Sequence, residues 1–226
     1  GQYLGTINDK LKNQVHFVNN SNEKASPFDA TKLSAKEAKS LAKSVRSTSV
    51  AFMGSKTASD MRTIVTKSDQ YRKEVGFVGS IGKDREIRLT AMPIDKNNSF
   101  NSVNIGKQLD KNYSPEQQAG FFLAGHTHEG ALLNGFSYGS NMANQMGLGE
   151  PSNHGDKSDY YHMLYQNGNI SNRSQTPALI ATPYGMTIYG TGTNSTGNAQ
   201  TGTFIENKLY PSNNSYILYQ SLKRKA

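Results

Sequence analysis

Two histidines one residue apart are the side chains of this protein most suited to chemistry. They close the stretch Phe121-Phe122-Leu123-Ala124-Gly125-His126-Thr127-His128. Side chains alternate between the faces of a strand, so a strand carried through this stretch sends the rings of His126 and His128 the same way. Two imidazoles converging at a sheet edge are half of a divalent-metal site. The remaining histidines, His16, His154 and His162, have no comparable spacing. Cysteine is absent, which excludes disulfides, thiolate-held zinc and thiol catalysis. Taken alone, the pair fits a turn-stabilising coincidence as well as a metal site.

The surrounding elements must position that pair. Upstream, Glu74-Val75-Gly76-Phe77-Val78-Gly79-Ser80-Ile81 reads as a strand and Gly82-Lys83-Asp84 as a turn. Residues 86–92 then alternate polar with apolar, as a half-buried strand does, so the two strands form a hairpin. Glu74 opens it beside Arg72 and Lys73, an ordinary place for a solvent-facing charge. Residues 95–115 read as loop, closed by a short helical turn at Ser114-Pro115-Glu116-Gln117.

Two helices precede the hairpin. Ser34-Ala35-Lys36-Glu37 has the form of a capping box, followed by Ala38, Leu41, Ala42 and Val45 at helical spacing. A second helix covers about 59–71, with Met61, Ile64 and Val65 inward. Residues 1–30 are turn-rich around an alternating Gln14-Val15-His16-Phe17-Val18 and read as a lead-in.

Beyond the histidines, residues 130–149 are rich in Gly, Asn and Met without periodicity, and read as an insertion or flap. Asp156 or Ser158 can cap a helix bearing Tyr160, Met163 and Leu164. Residues 177–182 and 186–189 form a strand pair, with closing strands at 204–205 and 216–219.

The chain has 226 residues, enough for one large domain or two small ones. Mean hydropathy is −0.67, polar for a globular protein. A net charge of +8 suits anionic partners, but apart from Lys223-Arg224-Lys225 the charges are scattered, as on a solvated basic surface. No run of 18 apolar residues occurs, so no membrane-spanning helix is expected. The chain opens Gly1-Gln2-Tyr3, with neither Met nor a signal peptide. It is expected to be a piece or processed form of a longer polypeptide, with any export signal upstream.

The order of these pieces resembles the JAMM (MPN+, or JAB) zinc metallopeptidases: a glutamate opening a strand, His-x-His, then Ser-x-x-Asp at a helix start. The resemblance covers about residues 60–190. It implies that Glu74 is the catalytic glutamate, that His126, His128 and Asp156 hold Zn2+, and that Ser152 stabilises the oxyanion. The segment Pro177-Ala178-Leu179-Ile180-Ala181-Thr182-Pro183-Tyr184-Gly185 resembles the family's following strand and turn. Three residues rather than two separate Ser152 from Asp156, which leaves Asp159 as an alternative third ligand and His154 nearby. His128 and Ser152 also lie farther apart than in the family, as an insertion would cause.

The chemistry suits these residue types. Two imidazoles and one carboxylate leave zinc's fourth position to water, whose pKa falls to about 7. A carboxylate off the metal can take that water's proton. The resemblance implies an α/β fold with a mixed central sheet flanked by helices, in the JAB/MPN (cytidine-deaminase-like) architecture. That domain would span residues 31–226 and carry the insertion at about 130–149. The implied activity is hydrolysis of a peptide or isopeptide bond, on a protein or peptide substrate rather than nucleic acid.

The opening Gly1-Gln2-Tyr3-Leu4-Gly5-Thr6 is similar to the junction that follows the repeat shell of Rhs-type polymorphic toxins. This implies a secreted or delivered bacterial effector domain, with an immunity protein as partner.

Two other readings compete. Leu123-Ala124-Gly125-His126-Thr127-His128 also resembles the closing Gly-His-x-His signature of calcineurin-like metallophosphoesterases. No histidine lies between His16 and His126, however, and that family's upstream Asp-x-His, Gly-Asp-x-x-Asp and Gly-Asn-His motifs are absent. A non-catalytic MPN-type binding module is the other alternative, although such modules typically lose the histidines kept here. Metal content separates the three: one zinc, two metals or none.

Overall fold

Ser34 starts the first helix of the computed structural model, which describes residues 2–8, 14–18, 32–98, 103–128, 178–182, 185–189, 205–207 and 214–219. Helix α1 is Ala35–Thr48. Its capping box is formed as the sequence predicts. Ser34 Oγ accepts the Glu37 N–H at 3.3 Å, and the Glu37 carboxylate accepts the Ser34 N–H at 2.8 Å. Ala42 and Val45 turn inward.

Helix α2, Ser55–Tyr71, starts earlier than the expected Ser59. The cause is tertiary. The buried Glu86 carboxylate accepts the N–H groups of Lys56 at 2.7 Å and Thr57 at 3.3 Å. A cap supplied from a distant turn leaves no local signal. Arg72, left-handed at φ 50°, ends the helix.

Strands β4 (Gly76–Ile81) and β5 (Ile87–Ala91) form the expected antiparallel hairpin. Helix α3, Ile105–Asn112, lies in a stretch expected to be loop. Its inward positions alternate apolar with polar: Leu109 and Gln108 are both buried, so the apolar periodicity that marks a helix is lost. Asn104 caps it, accepting from Lys107 N–H at 2.9 Å. The short α4, Pro115–Gly120, begins at the expected Ser114 cap.

Strand β6 is Leu123–Thr127, and β7 (Ala178–Thr182) and β8 (Gly185–Tyr189) are the expected second hairpin. With β9, Ile205–Asn207, they complete a six-stranded sheet of order β5-β4-β6-β7-β8-β9. It is mixed: β6 and β7 run parallel and the other neighbours antiparallel.

A second sheet has the order β1-β10-β2-β3, with β1 Gln2–Asn8, β2 Gln14–Val18, β3 Ala51–Met53 and β10 Asn214–Tyr219. The segment read as a lead-in therefore supplies two strands, and Val15 and Phe17 are buried in the main core. Their partner β10 comes from the other end of the chain, which no local pattern reveals. The expected insertion at 130–149 and the helix after Asp156 lie outside the described residues.

The sheet is covered on both sides. Val75, Phe77 and Leu123 pack with Met61, Ile64 and Val65 of α2. Val78 packs on the opposite face with Met92 and with Leu109 of α3. Among the described residues, no helix is long and apolar enough to cross a membrane.

Gly125 is where β6 is most tightly held. An added Cβ would meet the Leu179 carbonyl oxygen and lie 2.6 Å from Phe77 Cζ. Gly125→Ala is expected to destabilise the fold by about 1–3 kcal/mol, the usual cost of overpacking. Urea denaturation checks this, and an unchanged midpoint would mean that β6 and β7 can part without loss.

Candidate metal centre

The two histidines sit at the end of β6, and the residue between them sets their direction. Thr127 donates its N–H to the Val75 carbonyl at 3.1 Å. Its hydroxyl oxygen accepts the Val75 N–H at 3.0 Å and shares a hydrogen bond with Ser68 Oγ at 2.7 Å. Ser68 Oγ donates in turn to the Lys73 carbonyl at 2.6 Å. Thr127 thus turns toward α2, and alternation sends His126 and His128 to the other face. Beyond the strand's last residue, His128 N–H still bonds the Ala181 carbonyl at 3.0 Å. That bond keeps the second histidine in line with the first.

The rings converge. His126 Nε2 and His128 Nε2 are 3.0 Å apart, with ring centroids 4.8 Å apart and planes inclined at 60°. Two nitrogens bound about 2.0–2.1 Å from one tetrahedral zinc would lie about 3.3 Å apart. The observed spacing is close to that bite, so the pair fits two positions of such a site with little movement. His126 is buried and His128 half-buried.

Glu74 lies just before β4. The strand register pairs Gly76 with His126 and Phe77 with Gly125. Alternation carried two residues past that register, through the Thr127–Val75 bond, would set Glu74 across from His128. Residues 74, 126 and 128 would then share one sheet face. Glu74 is only 7% exposed, so it is not the solvent-facing charge that its basic neighbours suggest. Its carbonyl accepts from Asn98 Nδ2 at 3.0 Å, and Asn98 Oδ1 accepts from Gln108 Nε2 at 2.8 Å.

Asn98, Gln108 and Thr127 were not legible as site residues. The first two stand in a stretch without periodicity, and the third is an ordinary strand residue by type. A salt bridge between Lys111 and Asp95, at 2.6 Å, braces α3 against the segment carrying Asn98. The hydrogen bond from Lys111, followed by one from the Asn97 N–H, holds the Asp95 carboxyl below its usual range. A depressed carboxylate contributes stability above its unfolded value and loses it as pH falls through the lowered one. The brace is therefore complete at neutral pH.

Among the described residues, no group of three or more His, Asp or Glu side chains is arranged to hold a metal ion. Asp156, Asp159, Ser152 and His154 lie outside the described residues. The structure thus brings together the histidine pair and the strand end bearing Glu74. Comparison of the chain with protein-family models, curated proteins and solved structures found no match.

Thr127→Val keeps the shape of the side chain and removes its oxygen. The Val75 N–H then loses its acceptor, at an expected cost of about 1–3 kcal/mol. The Val75 amide should also exchange with solvent faster. Wild-type stability together with wild-type exchange would show that Thr127 does not hold the two strands in register.

Proposed function

We propose that this chain is a zinc-dependent peptidase or isopeptidase of the JAMM type, with its mixed sheet and flanking helices belonging to the JAB/MPN architecture. One observation carries the reading: the His126 and His128 Nε2 atoms meet at 3.0 Å, near the bite of a single zinc, on the sheet face to which strand alternation would assign Glu74. The burial of Glu74 is compatible with the role that the resemblance gives it.

In this reading His126 and His128 would hold the ion together with Asp156, Asp159 being the alternative acid. Zinc bound there would supply a Lewis acid for a carbonyl oxygen and would lower the pKa of a bound water to about 7. Glu74 stays off the metal. Its carboxylate takes the proton of the attacking water and returns it to the departing nitrogen. Ser152 donates its hydroxyl to the oxygen on which negative charge develops. The strand bonds at Thr127 and Ala181 hold the imidazoles in place, so little reorganisation accompanies the reaction.

Zinc content and amide hydrolysis test this together. The purified protein should bind one zinc per chain, and His126→Ala or His128→Ala should each weaken binding by about 100-fold or more. Incubated with a peptide and crosslinked-peptide library, the zinc-loaded protein should release amines that can be labelled and counted by mass spectrometry. Glu74→Gln should keep its zinc and lose about 10²–10⁴-fold in rate. A chain that takes up no zinc would overturn the proposal, and a fully active Glu74→Gln would remove Glu74 from the mechanism.

A further inference from the structure

Over Gly76, the strand partner of His126, lies a buried acceptor to which the proposed chemistry assigns no role. Asn98 Nδ2 donates to the Glu74 carbonyl, so Asn98 Oδ1 must face away from it and take a donor. Gln108 Nε2 is that donor, at 2.8 Å. The orientation of both amides is thereby settled, and Gln108 is left with its carbonyl oxygen. Gln108 is 4% exposed, and Oε1 has no hydrogen-bond partner among the described residues. An unmatched buried carbonyl is costly, and such groups are few in folded proteins.

Its location gives that oxygen a use. A Cβ added at Gly76 would lie 3.0 Å from Gln108 Oε1, so the missing side chain makes room for the amide above the strand. Gly76 is the cross-strand partner of His126, and facing Cβ positions in such a pair lie about 4.5–5.5 Å apart. The acceptor therefore lies over Gly76, the β4 residue paired with His126, together with Ile105 Cδ1 and Met92 Sδ.

We infer that Gln108 Oε1 is a ligand-binding acceptor, taking the N–H of an amide-type ligand seated at the histidine pair. This rests on the zinc-hydrolase reading and deepens it by naming a residue that orients the substrate. An amide N–H is the donor that such a substrate carries next to its polarised carbonyl. Gln108 would recognise it without touching the ion.

Acetohydroxamic acid and its N-methyl derivative test the inference without requiring turnover. Both chelate zinc through oxygen, but only the first carries an N–H. Measured by calorimetry on zinc-loaded protein, and referred to their ratio for zinc in solution, the N–H compound should bind about three- to tenfold more tightly. Gln108→Met should keep one zinc per chain and lose that preference. A wild-type ratio of one overturns the inference even if Gln108→Met does not fold. A preference undiminished in Gln108→Met overturns it as well, leaving the zinc reading intact. If neither compound binds because no zinc is held, the zinc reading fails and this inference falls with it.

Discussion

The antiparallel register between β4 and β6 is the constraint on which the candidate site depends. It pairs Gly76 with His126 and, carried on through Thr127 and Val75, would set Glu74 across from His128. A slip of one residue would turn every side chain of β6 to the other face. The histidines would then point into the apolar core under α2, and Thr127 would point away from it. Two features oppose the slip. The Thr127 hydroxyl is engaged by Ser68 and Val75 on the α2 side. Gly125 permits a close approach of Leu179 and Phe77 that a residue with a Cβ would not allow.

The two faces of the central sheet have different chemistry. The α2 face is mostly apolar, built from Val75, Phe77, Leu123, Leu179 and Ala181 with the inner side of α2, and is interrupted by the buried Ser68–Thr127 pair. The α3 face is apolar only in part, around Val78, Met92 and Leu109. Toward the strand ends it becomes polar, with Glu74, Asn98, Gln108 and His126 all buried. Buried polar groups cost stability unless they are mutually satisfied, and a hydrophobic face would hold the sheet at least as well. The Asn98–Glu74 and Gln108–Asn98 hydrogen bonds satisfy part of that group.

Tertiary contacts also explain how the supporting elements are anchored. Glu86 caps α2 from the turn end of the β4–β5 hairpin. Arg85 donates to the Arg46, Ser47 and Ser49 carbonyls at the end of α1. One hairpin thus ties both helices to the strand that leads back to Glu74. The exposed Lys56–Asp84 and Arg88–Asp60 pairs reinforce the same junction, although surface pairs contribute little individually.

Whatever depends on near neighbours is written along the chain. The Ser34 and Ser114 caps, the two hairpins and the shared direction of His126 and His128 follow from spacing over a few residues, where local geometry acts without help. The tertiary structure decided what depends on distant partners: the earlier start of α2 on Glu86, the pairing of the first strands with β10, and α3 with its half-polar inner face. It also buried Glu74 just before the strand that pairs with the one carrying His126, because strand pairing joins residues some fifty positions apart. No pattern within one segment can encode a hydrogen bond whose other half lies in another.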